Sequence, residues 1–326
     1  MTAVYEYDKY TTTSENLNET LEKYGVAIIP SVLNEEECNE MENGMWDTLE
    51  YWTQHWDTKI TRDNPVSWQN IRDLLPKHSM LIQQYKLGHA QFIWNLRQNP
   101  KCIDIFSKLW NCSYEDLLVS FDAASFHMPS EVTQIGWYKK TWFHCDQSYV
   151  RNDLECIQSW ATAFDVNDGD ATLAFYEGSH QFHKEFAQHF NVTNKSDWFK
   201  LENKEQSEFY KNKGCVERYI KCPKGSIVFW DSRTIHCGVE PRKGREQQNF
   251  RCVVYLCYTP RSLSNEKELK KKIKAFEEMR MTSHWPHKVK LFPKMPNTYG
   301  AQIKIKEVEP LNPPKINEIG RKLVGY

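Results

Sequence analysis

His144-Cys145-Asp146 sets an imidazole and a carboxylate two residues apart, a spacing that can build a metal centre. On an extended strand, residues i and i+2 face the same way, so these two side chains converge while Cys145 points to the opposite side. A mononuclear iron oxygenase needs two histidines and one carboxylate on one face of an octahedron, leaving the other positions for co-substrate and O2. The same ligand set can also hold zinc and a metal-bound hydroxide. Two other triplets share the spacing. His55-Trp56-Asp57 continues a helical pattern and His183-Lys184-Glu185 leads into one, and on a helix i and i+2 diverge around the axis. His144-Cys145-Asp146 instead precedes a run of strand-like segments.

The third ligand must come from far along the chain, and the candidates are His180, His183, His189 and His236. His180 lies in the turn Gly178-Ser179-His180, where it would stabilise the bend, and His183 and His189 fall on a polar, helix-like stretch. His236 follows the apolar run Gly225 to Trp230 and a polar bend, and precedes Cys237-Gly238, so it is the choice. An oxygenase that consumes 2-oxoglutarate also needs a cation for the distal carboxylate, best supplied by a planar guanidinium. Arg251 opens the apolar strand Phe250 to Tyr258, where an arginine is unfavourable without an anionic partner. Arg245 and Arg242 are rivals in a polar loop that reads as solvated, and Arg245 remains a second candidate. With Arg233 and Lys243 they make a basic cluster that could recruit a carboxylated small molecule.

The elements that must carry these residues are legible in outline. Ser14 to Lys23 reads as a short helix capped by Ser14 and broken at Tyr24-Gly25. Val26 to Ile29 reads as a buried strand ending at Pro30. An amphipathic helix follows, capped near Asn34, with Cys38, Met41, Met45, Leu49 and Trp52 spaced by three and four. Lys77 to Gln98 carries a further helical pattern that stops before Pro100, and Ile103 to Trp110 a third. From about Leu117 the texture changes to short apolar runs: Cys156 to Val166, Ala171 to Tyr176, Ser226 to Trp230 and Phe250 to Tyr258 read as strands of a sandwich, jelly roll or barrel. Asn265 to Arg280 returns to helix, and the proline-punctuated tail after Met281 reads as extended. The expectation is one β-rich α+β domain over residues 1–326: a mainly helical layer (1–115), a β core (116–260), then a C-terminal helix and tail (261–326).

With 42 basic and 43 acidic residues in 326, the net charge of −1 argues against nucleic acid or an anionic membrane as partner. No apolar run approaches the length of a membrane span, and no obligate protein partner is evident. Ten scattered cysteines without a C-x-x-C pair read as reduced thiols of a cytoplasmic protein. The 12 Trp, 16 Tyr and 16 Phe suit a large core or an aromatic-lined pocket.

Taken in order, Tyr24 to Pro30, Trp142 to Gln147, Gln158-Ser159-Trp160, Gly178-Ser179-His180, Gly225-Ser226, His236-Cys237-Gly238 and Phe250-Arg251 resemble the phytanoyl-CoA dioxygenase family of iron(II)- and 2-oxoglutarate-dependent oxygenases. The resemblance implies a double-stranded β-helix, or jelly roll, buttressed by helices. It implies Fe(II) on His144, Asp146 and His236, with 2-oxoglutarate and O2 as co-substrates and Arg251 as the carboxylate anchor. It also implies Trp160 beside 2-oxoglutarate, and a further contact from Phe126 to Met128. The interval from His236 to Arg251 is longer than the family pattern, which keeps Arg245 in view. The carboxylate at Asp146 disfavours halogenation, since related halogenases lack it. Trp68 to Pro100 and Phe276 to Pro293 resemble a subgroup from algae and giant viruses that includes kainoid synthases, which close a pyrrolidine ring on an N-prenylated glutamate. The implied substrate is a small carboxylated molecule. A zinc hydrolase and a non-catalytic jelly-roll binding protein are the alternatives.

Overall fold

The longest strands carry apolar residues in near-continuous runs because each is covered on both faces, and their residues are almost all buried. The computed structural model describes residues 3–74, 80–296, 302 and 305–326. Its strands are β1 Tyr5–Glu6, β2 Val26–Ile29, β3 Leu81–Ile82, β4 Leu117–Val119, β5 Ala124–His127, β6 His144–Cys145, β7 Ile157–Thr162, β8 Thr172–Tyr176, β9 Phe199–Lys200, β10 Glu217–Ile220, β11 Ile227–Asp231, β12 His236–Val239, β13 Arg251–Leu256 and β14 Tyr258–Pro260. The helices are α1 Leu17–Tyr24, α2 Glu35–Trp52, α3 Gln91–Arg97, α4 Pro100–Trp110, α5 Ser130–Thr133, α6 His183–His189, α7 Lys204–Asn212, α8 Glu266–Glu277 and α9 Glu318–Val324.

One sheet has the order β2-β11-β7-β13-β5-β3 and the other β1-β10-β8-β12-β6-β9, with β4 and β14 paired separately. From β5 to β8, and again from β10 to β13, successive strands alternate between the two sheets. Strand periodicity then sorts side chains into three layers. On the first sheet Phe229, Cys252 and Val254 face the helices, packing with Met41, Met45, Leu49 and Phe106. Val228, Trp230, Val253 and Trp160 face inward, where they meet Leu173 and Phe175 of the second sheet. Beyond that sheet, Cys145, Cys237 and Val239 pack outward with Phe186, Phe209 and Tyr210. His144 and His236, one position along from Cys145 and Cys237, therefore face inward.

Helix α2 begins where expected: Asn34 accepts from the Glu37 amide and the Glu37 side chain accepts from the Asn34 amide, a reciprocal cap. Its buried positions include Cys38, Met41, Met45, Leu49 and Trp52. Among the described residues no helix is long and apolar enough to cross a membrane.

Three expectations change. Helix α1 starts at Leu17 after Asn16, and Ser14 donates its hydroxyl to Glu15 rather than capping. Of the helix expected over Lys77 to Gln98, residues 77–79 lie outside the described set, and only Gln91–Arg97 is α-helical. Leu81 and Ile82 instead pair with Ala124 and Ser125 of β5, because an open sheet edge offers their backbone hydrogen bonds and their side chains burial together. Left-handed backbone at Tyr85 and Lys86 separates the two parts. The C-terminal tail, expected to be extended throughout, ends in α9, capped by Asn317 and burying Leu323 and Val324.

Candidate metal centre

Antiparallel pairing of β12 with β6 sets His236 directly opposite His144, with ring centroids 4.4 Å apart. Asp146 follows just beyond β6, its amide bonded to the Ser232 carbonyl at 3.1 Å, which turns the carboxylate towards both rings. His144 Nε2 lies 3.5 Å from Asp146 Oδ1, and His236 Nε2 lies 3.3 Å from Oδ2. All three ligand atoms fall within 4.8 Å of one another.

The surroundings prepare these groups to hold a cation. His236 Nδ1 donates to the Thr234 carbonyl at 2.9 Å and His144 Nδ1 to the Trp142 carbonyl at 3.4 Å. Because a carbonyl can only accept, each Nδ1 carries the proton and each Nε2 presents its lone pair inward. Trp142 stacks on His144 at 4.6 Å, and Gln158 Nε2 donates to Asp146 Oδ2 at 3.1 Å. Burial lowers the affinity of His144 for a proton. Burial pushes the Asp146 carboxyl up, but the two imidazoles, when they carry a proton on Nε2, more than offset it and hold the carboxyl well below its usual range, the place of those protons being the one a metal cation would take. The donor set fits a divalent metal of the iron or zinc type.

The other predicted residues separate clearly. Arg251 is buried and inward-facing on β13, donating to Ser125 Oγ at 3.2 Å and the Ala171 carbonyl at 3.0 Å. The Trp160 ring lies 5.2 Å from its guanidinium, and among the described residues it forms no ion pair. Arg245 was expected to be solvated, yet its side chain is 1% exposed and clamped between Glu131 and Asp170 at 2.7 Å each. The basic cluster is likewise occupied. Arg233 pairs with Asp231, and Arg242 lies 3.9 Å from the Tyr138 ring and donates to Tyr219. His180 Nε2 bonds the Glu22 carbonyl and His183 Nε2 the Ser148 carbonyl. Phe126 packs among the helices against Trp46, so in β5 it is Ser125 and His127 that face the interior.

Residues to which the sequence reading gave no role include Gln158, Ser125 and Tyr255. Tyr255 shares the inward face of β13 with Arg251, its hydroxyl beside Arg251 and Ser125. Counting by twos from Arg251 would have found it.

The phytanoyl-CoA dioxygenase family profile matches residues 21–240. The chain belongs to this family. Its members are iron(II)- and 2-oxoglutarate-dependent dioxygenases. A relative from Aspergillus versicolor, Ava biosynthesis cluster protein O, is 27% identical over 215 residues, covering 63% of this chain and 66% of that protein, just under two thirds of its length. A hypothetical protein from Escherichia coli superposes with a TM-score of 0.59 at 14% identity over 99% of this chain and 86% of that one. The epimerase SnoN, solved with Fe3+, α-ketoglutarate and a nogalamycin compound, superposes with a TM-score of 0.50 at 14% identity over 76% of this chain and 83% of that one. At such identities the structural likeness is one of fold.

Proposed function

We propose that this family member is an oxygenase that holds iron(II) on His144, Asp146 and His236 and binds 2-oxoglutarate through Arg251. Its reaction is the oxidation of an unactivated C–H bond of a small carboxylated molecule, by hydroxylation or by ring closure as on an N-prenylated glutamate. The strand order supports a double-stranded β-helix, and we take residues 1–326 as one domain around it. The ten free cysteines support a reducing, cytoplasmic setting. The observation that carries the reading is the inward convergence of two Nε2 atoms on one carboxylate, with a buried arginine in the same interior that forms no ion pair among the described residues.

Iron(II), when bound, supplies activation of O2 coupled to decarboxylation of 2-oxoglutarate to succinate. The chain's own residues do the rest. Thr234 and Trp142 fix the histidine tautomers, Gln158 fixes one carboxylate oxygen, and Ser125, Tyr255 and Arg251 offer donors to a distal carboxylate. Trp160 walls that end, and the buried interior excludes water and strengthens each charge-assisted bond.

Anaerobic addition of iron(II) and 2-oxoglutarate should produce the weak visible charge-transfer band of a chelated 2-oxo acid. His144→Ala, Asp146→Ala and His236→Ala should each abolish it. Aerobic succinate release should require iron. Turnover with zinc and no succinate would instead identify a hydrolase.

A further inference from the structure

We propose that Trp198 and Lys200, at the sheet edge beside the metal centre, form the subsite of the primary substrate and select an aromatic carboxylic acid, its ring against the indole and its carboxylate on the ammonium. This rests on the oxygenase reading above and narrows its substrate from small carboxylated molecules to those that carry an aromatic ring.

Strand β9 stands at the end of its sheet, next to β6. The register sets Lys200 opposite His144, and His144 opposite His236. Directly opposed residues of antiparallel strands project to one face. The row His236, His144, Lys200 therefore runs from the metal ligands to the open edge, where Lys200 is exposed. Phe199, one position back, takes the other face and packs with Tyr149 and Phe186 at 5.1 and 5.9 Å between ring centroids. Trp198, two positions before Lys200, returns to the metal face, its ring centroid 6.0 Å from that of His144.

The backbone is fastened on both sides of Trp198. The Asp197 carboxylate accepts from the Ser148 amide at 3.3 Å and pairs with Arg151, and the Leu201 amide donates to the Phe143 carbonyl at 2.9 Å. Trp198 is nevertheless 48% exposed, the one exposed member of the 12 tryptophans. The other indole on His144, that of Trp142, is tied down by its N–H to the Gly238 carbonyl at 2.8 Å. Among the described residues the Trp198 indole N–H and the Lys200 ammonium have no hydrogen-bond or ion-pair partner. A ring laid on the Trp198 indole would remove apolar area from water and gain the attraction of an aromatic pair.

The two ends of the site are chemically separate. Arg251 donates to the carbonyl of Ala171, just before β8, and β8 flanks β12 on the side away from β6 and β9. The proposed 2-oxoglutarate anchor thus lies beyond His236, and the β9 side of His144 is left for the primary substrate. Lys200 starts one strand spacing from His144, roughly 4.8 Å, within reach of its flexible four-carbon arm. An ammonium there attracts an anion and repels a cation.

The probes are 3-phenylpropionate, its cyclohexyl counterpart and 3-phenylpropanol, added without O2 to the iron(II)–2-oxoglutarate protein while the visible band is followed. The aromatic acid should shift the band and bind roughly 3-fold or more tighter than the cyclohexyl acid. Trp198→Ala should weaken it about 10-fold, and Trp198→Phe should keep most of the binding. Lys200→Met should weaken the aromatic acid about 5-fold but not the alcohol, and Lys200→Arg should preserve it. No variant should alter 2-oxoglutarate affinity. Both side chains are exposed, so neither replacement disturbs the core. The proposal is overturned if the aromatic acid leaves the band unshifted, if the two acids bind alike, or if Trp198→Ala or Lys200→Met leaves binding intact. Absence of the band in the unaltered protein would instead overturn the oxygenase reading on which the proposal stands.

Discussion

Arg251 and Arg245 are both buried arginines, and their partners distinguish them. Arg245 is neutralised by Glu131 and Asp170, so its charge is committed to fastening the loop after β12 onto α5 and the turn before β8. Arg251 has the Ser125 and Tyr255 hydroxyls and the Ala171 carbonyl beside it, none of which cancels its charge. An anion arriving beside it gains a charge-assisted bidentate contact of roughly 1.5–3 kcal/mol, equivalent to about 10- to 150-fold in affinity. Arg251→Ala should therefore raise the 2-oxoglutarate dissociation constant by about that factor, measured by anaerobic titration of the visible band. Arg245→Ala should instead destabilise the fold by about 3 kcal/mol, because it strands two carboxylates, and should move the dissociation constant little. The opposite ranking would transfer the anchor to Arg245.

At the scale of elements, the loop that leads into β12 and His236 is held from a distant turn. Gly25 ends α1 in left-handed backbone, φ 76°, and its carbonyl accepts from the Asp231 amide and from Thr234 Oγ1, each at 3.0 Å. Thr234 in turn orients His236. A β-carbon at Gly25 would lie 2.6 Å from both Thr234 Oγ1 and His180 Nδ1, so no side chain fits without moving the loop. Gly25→Ala should lower iron(II) affinity as well as melting temperature, whereas Asn34→Ala, which removes the cap of α2, should cost about 1 kcal/mol of stability and leave iron binding alone. Equal iron affinity in the two variants would show that the turn does not position His236. The helix break at Tyr24-Gly25, the cap at Asn34 and the H-x-D spacing are local signals, and for that reason they were legible in the sequence. The register that sets His236 opposite His144 depends on strands far apart in the chain, and composition carries no trace of it. Similarly, Leu81-Ile82 has the apolar character of either helix or strand, and only the open edge of β5 decides the outcome. His284 belongs to a proline-punctuated segment with no motif, and its electrostatic interaction with Asp146 arises only because the fold returns that segment to the site.

At the scale of the whole molecule, three packed layers bury several histidines that must stay neutral. Burial drives His89 down to about 3 and His127, His183 and His287 each down to about 4. Each accepts a proton on unfolding below the ordinary histidine value of about 6.5, so the unfolded chain binds more protons there. The stability they contribute is complete above about pH 6.5 and is lost as pH falls towards 4. Asp122 works in the other direction. Burial raises its carboxyl to about 7, so the folded state holds a proton that the unfolded chain releases above about pH 4. One carboxyl offsets about one proton of the four, and the histidines prevail. The melting temperature of the metal-free protein should fall steadily from pH 6.5 to 4.5. His89→Gln should reduce that slope by the equivalent of about one proton, about 1.4 kcal/mol per pH unit. Scanning calorimetry across this range checks it, and a melting temperature independent of pH would mean that these rings are already charged in the folded chain.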